Sequence, residues 1–286
     1  MGGGGPVVDG LLFAGAGVAF GWAGVRLRGL RRGPVRAGQG ELCALLMAFG
    51  LAFVLMSGRA RAVEGRVFPH LGWLLADVCA LAVALCTVAY LLRVTRSPRE
   101  ARTAIRARIV AYTLAIAGMS DLFLGSPVSG RGGALGELYR ERPMLGGYAD
   151  IFLVMLGVAM VDLLRTGLRH AGRTSRAALR LGLWSVSAGA VLGLVHLAER
   201  FVFVQAQLFG FEPPLPVGTV GDLGCRSPIE PLGCLFSVTL PAVAVLLIAV
   251  GMTLPAWGPA RTAPVRGWKD RRPHRTPASE ARGEAR

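Results

Sequence analysis

Apolar residues in this chain gather into long runs separated by short polar blocks rich in arginine. Seven of these runs approach the ~20 residues that carry a helix across ~30 Å of hydrocarbon. They cover about 7–25, 41–58, 68–92, 109–125, 148–164, 181–208 and 233–256. The pattern predicts an all-α fold: a multi-pass transmembrane helix bundle over 1–256, with seven spans. The remainder, 257–286, is polar and rich in Arg and Pro, and reads as a disordered, basic, cytoplasmic tail.

The arginine blocks orient the bundle. Arg26, Arg28, Arg31, Arg32 and Arg36 follow the first run, six arginines from Arg93 to Arg108 follow the third, and Arg165 to Arg180 follow the fifth. With the tail, these blocks hold 24 of the basic residues, against 7 in the alternate connections. Basic loops stay on the cytoplasmic side, so the N-terminus is expected outside and the C-terminus inside. The first run, preceded by MGGGGPVVD without Lys or Arg, reads as a retained helix, since a cleavable signal would carry a basic leader.

Composition sharpens this picture. The 286 residues are 53% hydrophobic, with 32 Lys+Arg against 17 Asp+Glu. Such a surplus invites a nucleic-acid reading, but a basic soluble protein would spread its charge over a folded surface or a tail. Here the charge falls between apolar runs, so no nucleic-acid partner is expected. The plasma membrane is the expected location. The partners expected are the bilayer itself, anionic lipid head groups at the inner Arg-rich loops, and an unidentified cytosolic protein on the same face. Lys269, in the tail, is the only lysine. A retinal Schiff base needs a lysine within a helix, so a rhodopsin-like pigment is excluded. Abundant Gly and Ala permit close helix packing in lipid.

The stretch LGLWSVSAGAVLGLVHLAERFVFVQAQLFG, Leu181 to Gly210, is the best functional address. It is long enough to span, yet carries His196, Glu199 and Arg200, which share one face at helical spacing. Ionisable groups inside a span are costly and face the bundle interior or a water-filled cavity. With the orientation above and ~1.5 Å of rise per residue, His196 lies near the midplane and Glu199 and Arg200 further out. Asp77 falls in the outer third of the third run, Asp121 near the outer end of the fourth, Asp150 at the outer end of the fifth, and Asp9 at the outer start of the first. Asp162 is the exception, near the inner end beside Arg165 and Arg169.

Two arrangements suit these groups. In one, Arg200 is neutralised by Glu199 and an aspartate such as Asp77 or Asp121, and the network pins the bundle. In the other, Asp77, Asp121, His196, Glu199 and Arg200 line an outward-facing site for a proton, a cation or a polar ligand. There Arg200 would hold the carboxylates or an anionic group, and His196, whose ordinary pKa is near neutrality, would relay a proton with Glu199. His196, Glu199 and Asp121 also have the ligand chemistry of a metal site, but nothing in the sequence fixes their spacing across helices, so no metal or cofactor is assigned.

No HExxH, GxSxG, Walker loop or paired DxxxD occurs, and no catalytic residues are assigned. Cys43, Cys79 and Cys86 sit in apolar runs as packed thiols. Cys225 and Cys234 flank an outer loop, CRSPIEPLGC, and are a disulfide candidate on the oxidising side.

Arginine-filled inner loops, the polar patch HLAER at 196–200 and an N-out, C-in bundle together resemble seven-helix membrane proteins of high-GC bacteria, some of them labelled transporters. The resemblance covers about 7–256. It implies a transporter-like or ligand-binding bundle. The alternative is a non-catalytic scaffold or sensor whose intramembrane charges are structural and whose Arg-rich inner face docks a partner.

Overall fold

The computed structural model describes residues 6–32, 39–57, 71–126, 139–211 and 239–253. These form seven long helices: α1 (Pro6–Arg32), α2 (Gln39–Met56), α3 (Leu71–Thr95), α4 (Pro98–Leu124), α5 (Pro143–Ala171), α6 (Ala177–Phe209) and α7 (Leu240–Thr253). A helical turn at 139–141 precedes α5, and no strand occurs among the described residues. Each predicted apolar run coincides with one helix. Five of them, α2 to α6, are long and apolar enough to cross a membrane. In α7, 14 residues are described; Cys225, Cys234 and the tail from 257 lie outside the described residues.

The arginine blocks, expected as loops, are largely helical. α1 continues through Arg32. α4 starts at Pro98, so all of PREARTAIRAR is helix rather than connection. Proline at the first helical position is preset for helix and gives up an N–H that would lack a partner there anyway, and Arg, Ala and Glu propagate the helix well. Only Arg96 and Ser97 separate α3 from α4, and 172–176 separate α5 from α6.

Contacts between helices fix their relative directions. Gly15 meets Phe53 and Phe20 meets Gly50 across α1 and α2. Glu41 pairs with Arg93 across α2 and α3, Arg108 with Asp162 across α4 and α5, and Gly146 meets Leu208 across α5 and α6. Every successive pair joined by such contacts is antiparallel. The arginine-rich helix ends therefore gather at one end of the bundle, and Asp77, Asp150, Glu199 and Arg200 lie toward the other. α1, α2 and α3 pack as one group and α5, α6 and α7 as another. α4 and a direct α3–α5 contact join the two groups.

The core between them is apolar, with Leu81, Leu92, Met119, Leu163 and Val186 fully buried. The outside is also apolar: Val18, Leu114, Leu181 and Leu246 are each more than 60% exposed. Large apolar side chains spread over the surface of long helices suit a lipid surround, an architecture compatible with an integral membrane protein. Hydroxyls on these helices are satisfied locally. Thr87, Ser120 and Ser187 donate to the carbonyls of Val83, Ile116 and Leu183, four residues back. Ser185 instead donates across the helix interface to the Leu247 carbonyl, at 2.7 Å.

Close approach at α6 depends on glycine. A β-carbon on Gly189 would sit 2.7 Å from the Ala244 carbonyl oxygen and 2.8 Å from Ile248, both on α7. One on Gly251 of α7 would meet the Gly182 carbonyl oxygen at 2.5 Å. Small residues let helix backbones touch where no hydrophobic force separates helix from lipid.

Candidate functional site

The polar cluster is assembled from three helices and the turn before α5. On α3, Asp77 lies nearly two turns in from the N-terminus, half-buried, and accepts a hydrogen bond from the Tyr148 hydroxyl on α5. Tyr148 is itself buried and its ring packs on Phe123 of α4, with centroids 5.6 Å apart. α3 and α5 run in the same direction, so residues near both N-terminal ends meet.

Two residues further along α5, the Asp150 Oδ1 accepts from the Gln205 Nε2 of α6, at 2.8 Å. This amide–carboxylate contact ties the ends of two antiparallel helices. Two and a half turns below Gln205, the His196 Nδ1 lies 3.5 Å from the Glu199 Oε2, and both side chains are mostly buried. That spacing is an ion-pair approach whose geometry falls short of a hydrogen bond. Arg200 lies in the field of Glu199 and of Tyr139.

Tyr139 is the residue that the sequence does not point to. It sits in the turn ahead of α5, outside the long apolar helices. Burial pushes its phenol up to about 12; Asp77 adds to this, Arg200 opposes it, and Asp150 adds again. At neutral pH it is an uncharged hydroxyl.

Of the residues singled out in the sequence, Asp77, Asp150, His196, Glu199 and Arg200 lie toward this end of the bundle. Asp121 does not join them: its side chain is exposed on α4, and its carbonyl accepts from the Gly125 N–H at the helix end. The aspartates nearest the cluster also have neutral partners, Tyr148 for Asp77 and Gln205 for Asp150. Among the described residues no ion pair joins either aspartate to Arg200. Nor do three of His, Cys, Asp and Glu converge there closely enough to hold a metal ion, so His196, Glu199 and Asp121 form no ligand set. Asp162, expected beside Arg165 and Arg169, pairs with Arg108 of α4 at 2.7 Å. Cys43 and Cys79 are buried free thiols and Cys86 is half-buried.

Removing the Tyr148 hydroxyl leaves Asp77 without its donor. Tyr148→Phe is expected to destabilise the detergent-solubilised protein by about 1–3 kcal/mol, the range for a hydrogen bond to a charged or buried acceptor. A thermal melt followed by circular dichroism measures it. An unchanged midpoint would mean that Asp77 draws nothing from Tyr148.

The chain matches no known family, no curated protein and no solved structure.

Proposed function

We propose that this chain is a seven-span protein of the plasma membrane, with its N-terminus outside, that binds a small cation or polar ligand at the outward-facing cluster of Asp77, Tyr139, Tyr148, Asp150, His196, Glu199 and Arg200, as a transporter does. One observation carries the reading. Tyr148 of α5 donates to Asp77 of α3 and Gln205 of α6 donates to Asp150 of α5, toward the bundle end that also holds the mostly buried His196–Glu199 pair, so polar groups of three helices share one locality. Such a locality within apolar helices costs several kcal/mol unless it serves a purpose or is fully paired. In this reading Asp77 and Asp150, held by neutral donors, keep oxygens to offer a cation. His196 and Glu199, on one face of α6, exchange a proton, and Arg200 balances the carboxylates while the site is empty. The positive-inside rule supports the orientation, since the arginine-rich helix ends all lie opposite the cluster.

The test is reconstitution of the full chain into vesicles holding a pH-sensitive dye, under an imposed proton or monovalent-cation gradient. Dissipation several-fold faster than with Glu199→Gln protein is expected. Rates equal to protein-free vesicles for every gradient would contradict transport.

A second reading draws on the two closed ties, Tyr148 to Asp77 and Gln205 to Asp150. In it the cluster braces the bundle, Arg200 completes the brace, and the Arg-rich end docks a cytosolic protein. Co-purification of a cytosolic protein, lost on deleting 257–286, favours it.

A further inference from the structure

At the opposite end of the bundle from the polar cluster, the α3–α4 turn and the last turns of α5 line an open cleft of about 420 Å³. Its walls are Thr95, Arg96, Ser97 and Glu100 on one side and Thr166, Arg169, His170 and Arg173 on the other. Three arginines and one glutamate line it, and among the described residues none of Arg96, Arg169 and Arg173 takes part in an ion pair. Two of the polar walls are already committed to the backbone. The Thr95 hydroxyl donates to the Leu91 carbonyl at 2.7 Å, and the His170 Nδ1 lies 2.9 Å from the Thr166 carbonyl oxygen. A carbonyl only accepts, so Nδ1 carries the proton of that bond and Nε2 is the ring nitrogen left for a ligand.

From this geometry we infer that the cleft is a binding site for the phosphate of an anionic phospholipid headgroup. The donor set is right for it. Guanidinium groups bind phosphate oxygens through paired N–H groups, which ammonium groups do not, and all three cations here are arginines. The location is right as well. The cleft opens where apolar helix gives way to polar turn, and Val94 and Leu168, the neighbours of Thr95 and Arg169, are exposed apolar side chains. An acyl chain can lie against them while the headgroup enters the cleft. Basic pockets between helices at the cytoplasmic interface are the usual seat of such headgroups. The wider arginine surplus attracts anionic lipid to the whole face. This cleft is different in drawing arginines from two opposed walls. The inference rests on the membrane reading alone and is independent of the polar cluster, so loss of vesicle transport leaves it standing.

The experiment uses purified full-length protein in neutral detergent, titrated with phosphatidylglycerol, with phosphatidylcholine, or with inorganic phosphate, and read by native mass spectrometry. One phosphatidylglycerol is expected to be retained about tenfold more strongly than phosphatidylcholine, the scale set by a few interfacial arginines. The triple variant R96Q/R169Q/R173Q should lose that preference. The triple R99Q/R102Q/R106Q, which removes the same charge from exposed positions of α4, should keep it within about twofold, since charge away from the headgroup is screened within a Debye length. R169Q alone, on an exposed last turn, should lose part of the preference and guards against misfolding of the triple. Equal loss in both triples would mean diffuse attraction and overturn the site. Retention in the cleft triple, once its melting midpoint matches wild type, would overturn it too. Inorganic phosphate binding as tightly as the lipid would assign the cleft to a soluble anion and overturn the lipid source.

Discussion

Gly251→Leu is expected to separate α7 from α6. A β-carbon there meets the Gly182 carbonyl oxygen at 2.5 Å, the Val186 side chain at 2.7 Å and the Val186 nitrogen at 2.9 Å. Two of these three are backbone atoms of α6, which cannot rotate away as a side-chain tip can. Gly189→Leu presses on the same interface from the other side, toward the Ala244 carbonyl and Ile248. Each substitution is expected to cost about 3 kcal/mol, the upper part of the overpacking range, because the helices must part to admit the side chain. In lipid little hydrophobic force pulls them back together, since the packing contacts are themselves the attraction. Gly157→Leu is the control. Nothing lies within 4 Å of a β-carbon at Gly157 on α5, so that variant should stay within about 0.5 kcal/mol of wild type. Melting midpoints in mild detergent rank the three; a Gly251 variant as stable as the Gly157 variant would contradict the α6–α7 packing.

Asp162→Leu is the second large effect. Its carboxylate accepts from the Arg108 Nε at 2.7 Å, with both side chains about a quarter exposed. Arg108 also reaches the Ala104 carbonyl from Nη1, at 3.1 Å. Losing Asp162 strands a guanidinium between α4 and α5, where burial is partial, and a cost of about 2–3 kcal/mol follows, below the value for a fully buried pair. Removing both charges with Arg108→Leu/Asp162→Leu should recover most of the loss, because an apolar pair leaves nothing unpaired. The Glu41–Arg93 pair at the same end is more exposed, 40% for Arg93, so Glu41→Gln should cost less than about 1 kcal/mol. A double variant no better than Asp162→Leu alone would show that the pair is not the source of the stability.

The fold was largely legible in the sequence because lipid imposes a length rule. Seven runs near twenty apolar residues map onto seven helices, and their order and alternation follow. Helix ends were less legible. A run of arginines looks like a loop when only hydropathy is read, yet Pro98 opens a helix eleven residues before the apolar stretch of α4 begins. Position along a helix was legible too, since it is only a count of residues. Facing was not. Asp121 was read as part of the cluster, but its side chain is exposed on α4, and apolar neighbours on every side of that helix left no stripe to reveal this. Partners across helices were illegible for the same reason. Asp162 was placed beside Arg165 and Arg169 on its own helix, whereas Arg108 reaches it from α4. Tyr139, Tyr148 and Gln205 carry no formal charge and did not stand out, although they supply the polar contacts of the cluster. Tyr148 and Gln205 each lie within seven residues of an ionisable group already marked, which is a signal that a search for neutral partners can use.

Accessibility from outside tests the central claim most directly. In full-length protein with Cys43, Cys79, Cys86, Cys225 and Cys234 replaced, single cysteines go at Leu192, His196 and Phe203 of α6, and a membrane-impermeant thiol reagent is added to intact cells. An outward-facing polar site predicts labelling at Phe203 that continues down to His196, the position beside Glu199. Labelling confined to Phe203, or absent from all three in protein that remains folded, would contradict it and leave the cluster as a sealed brace.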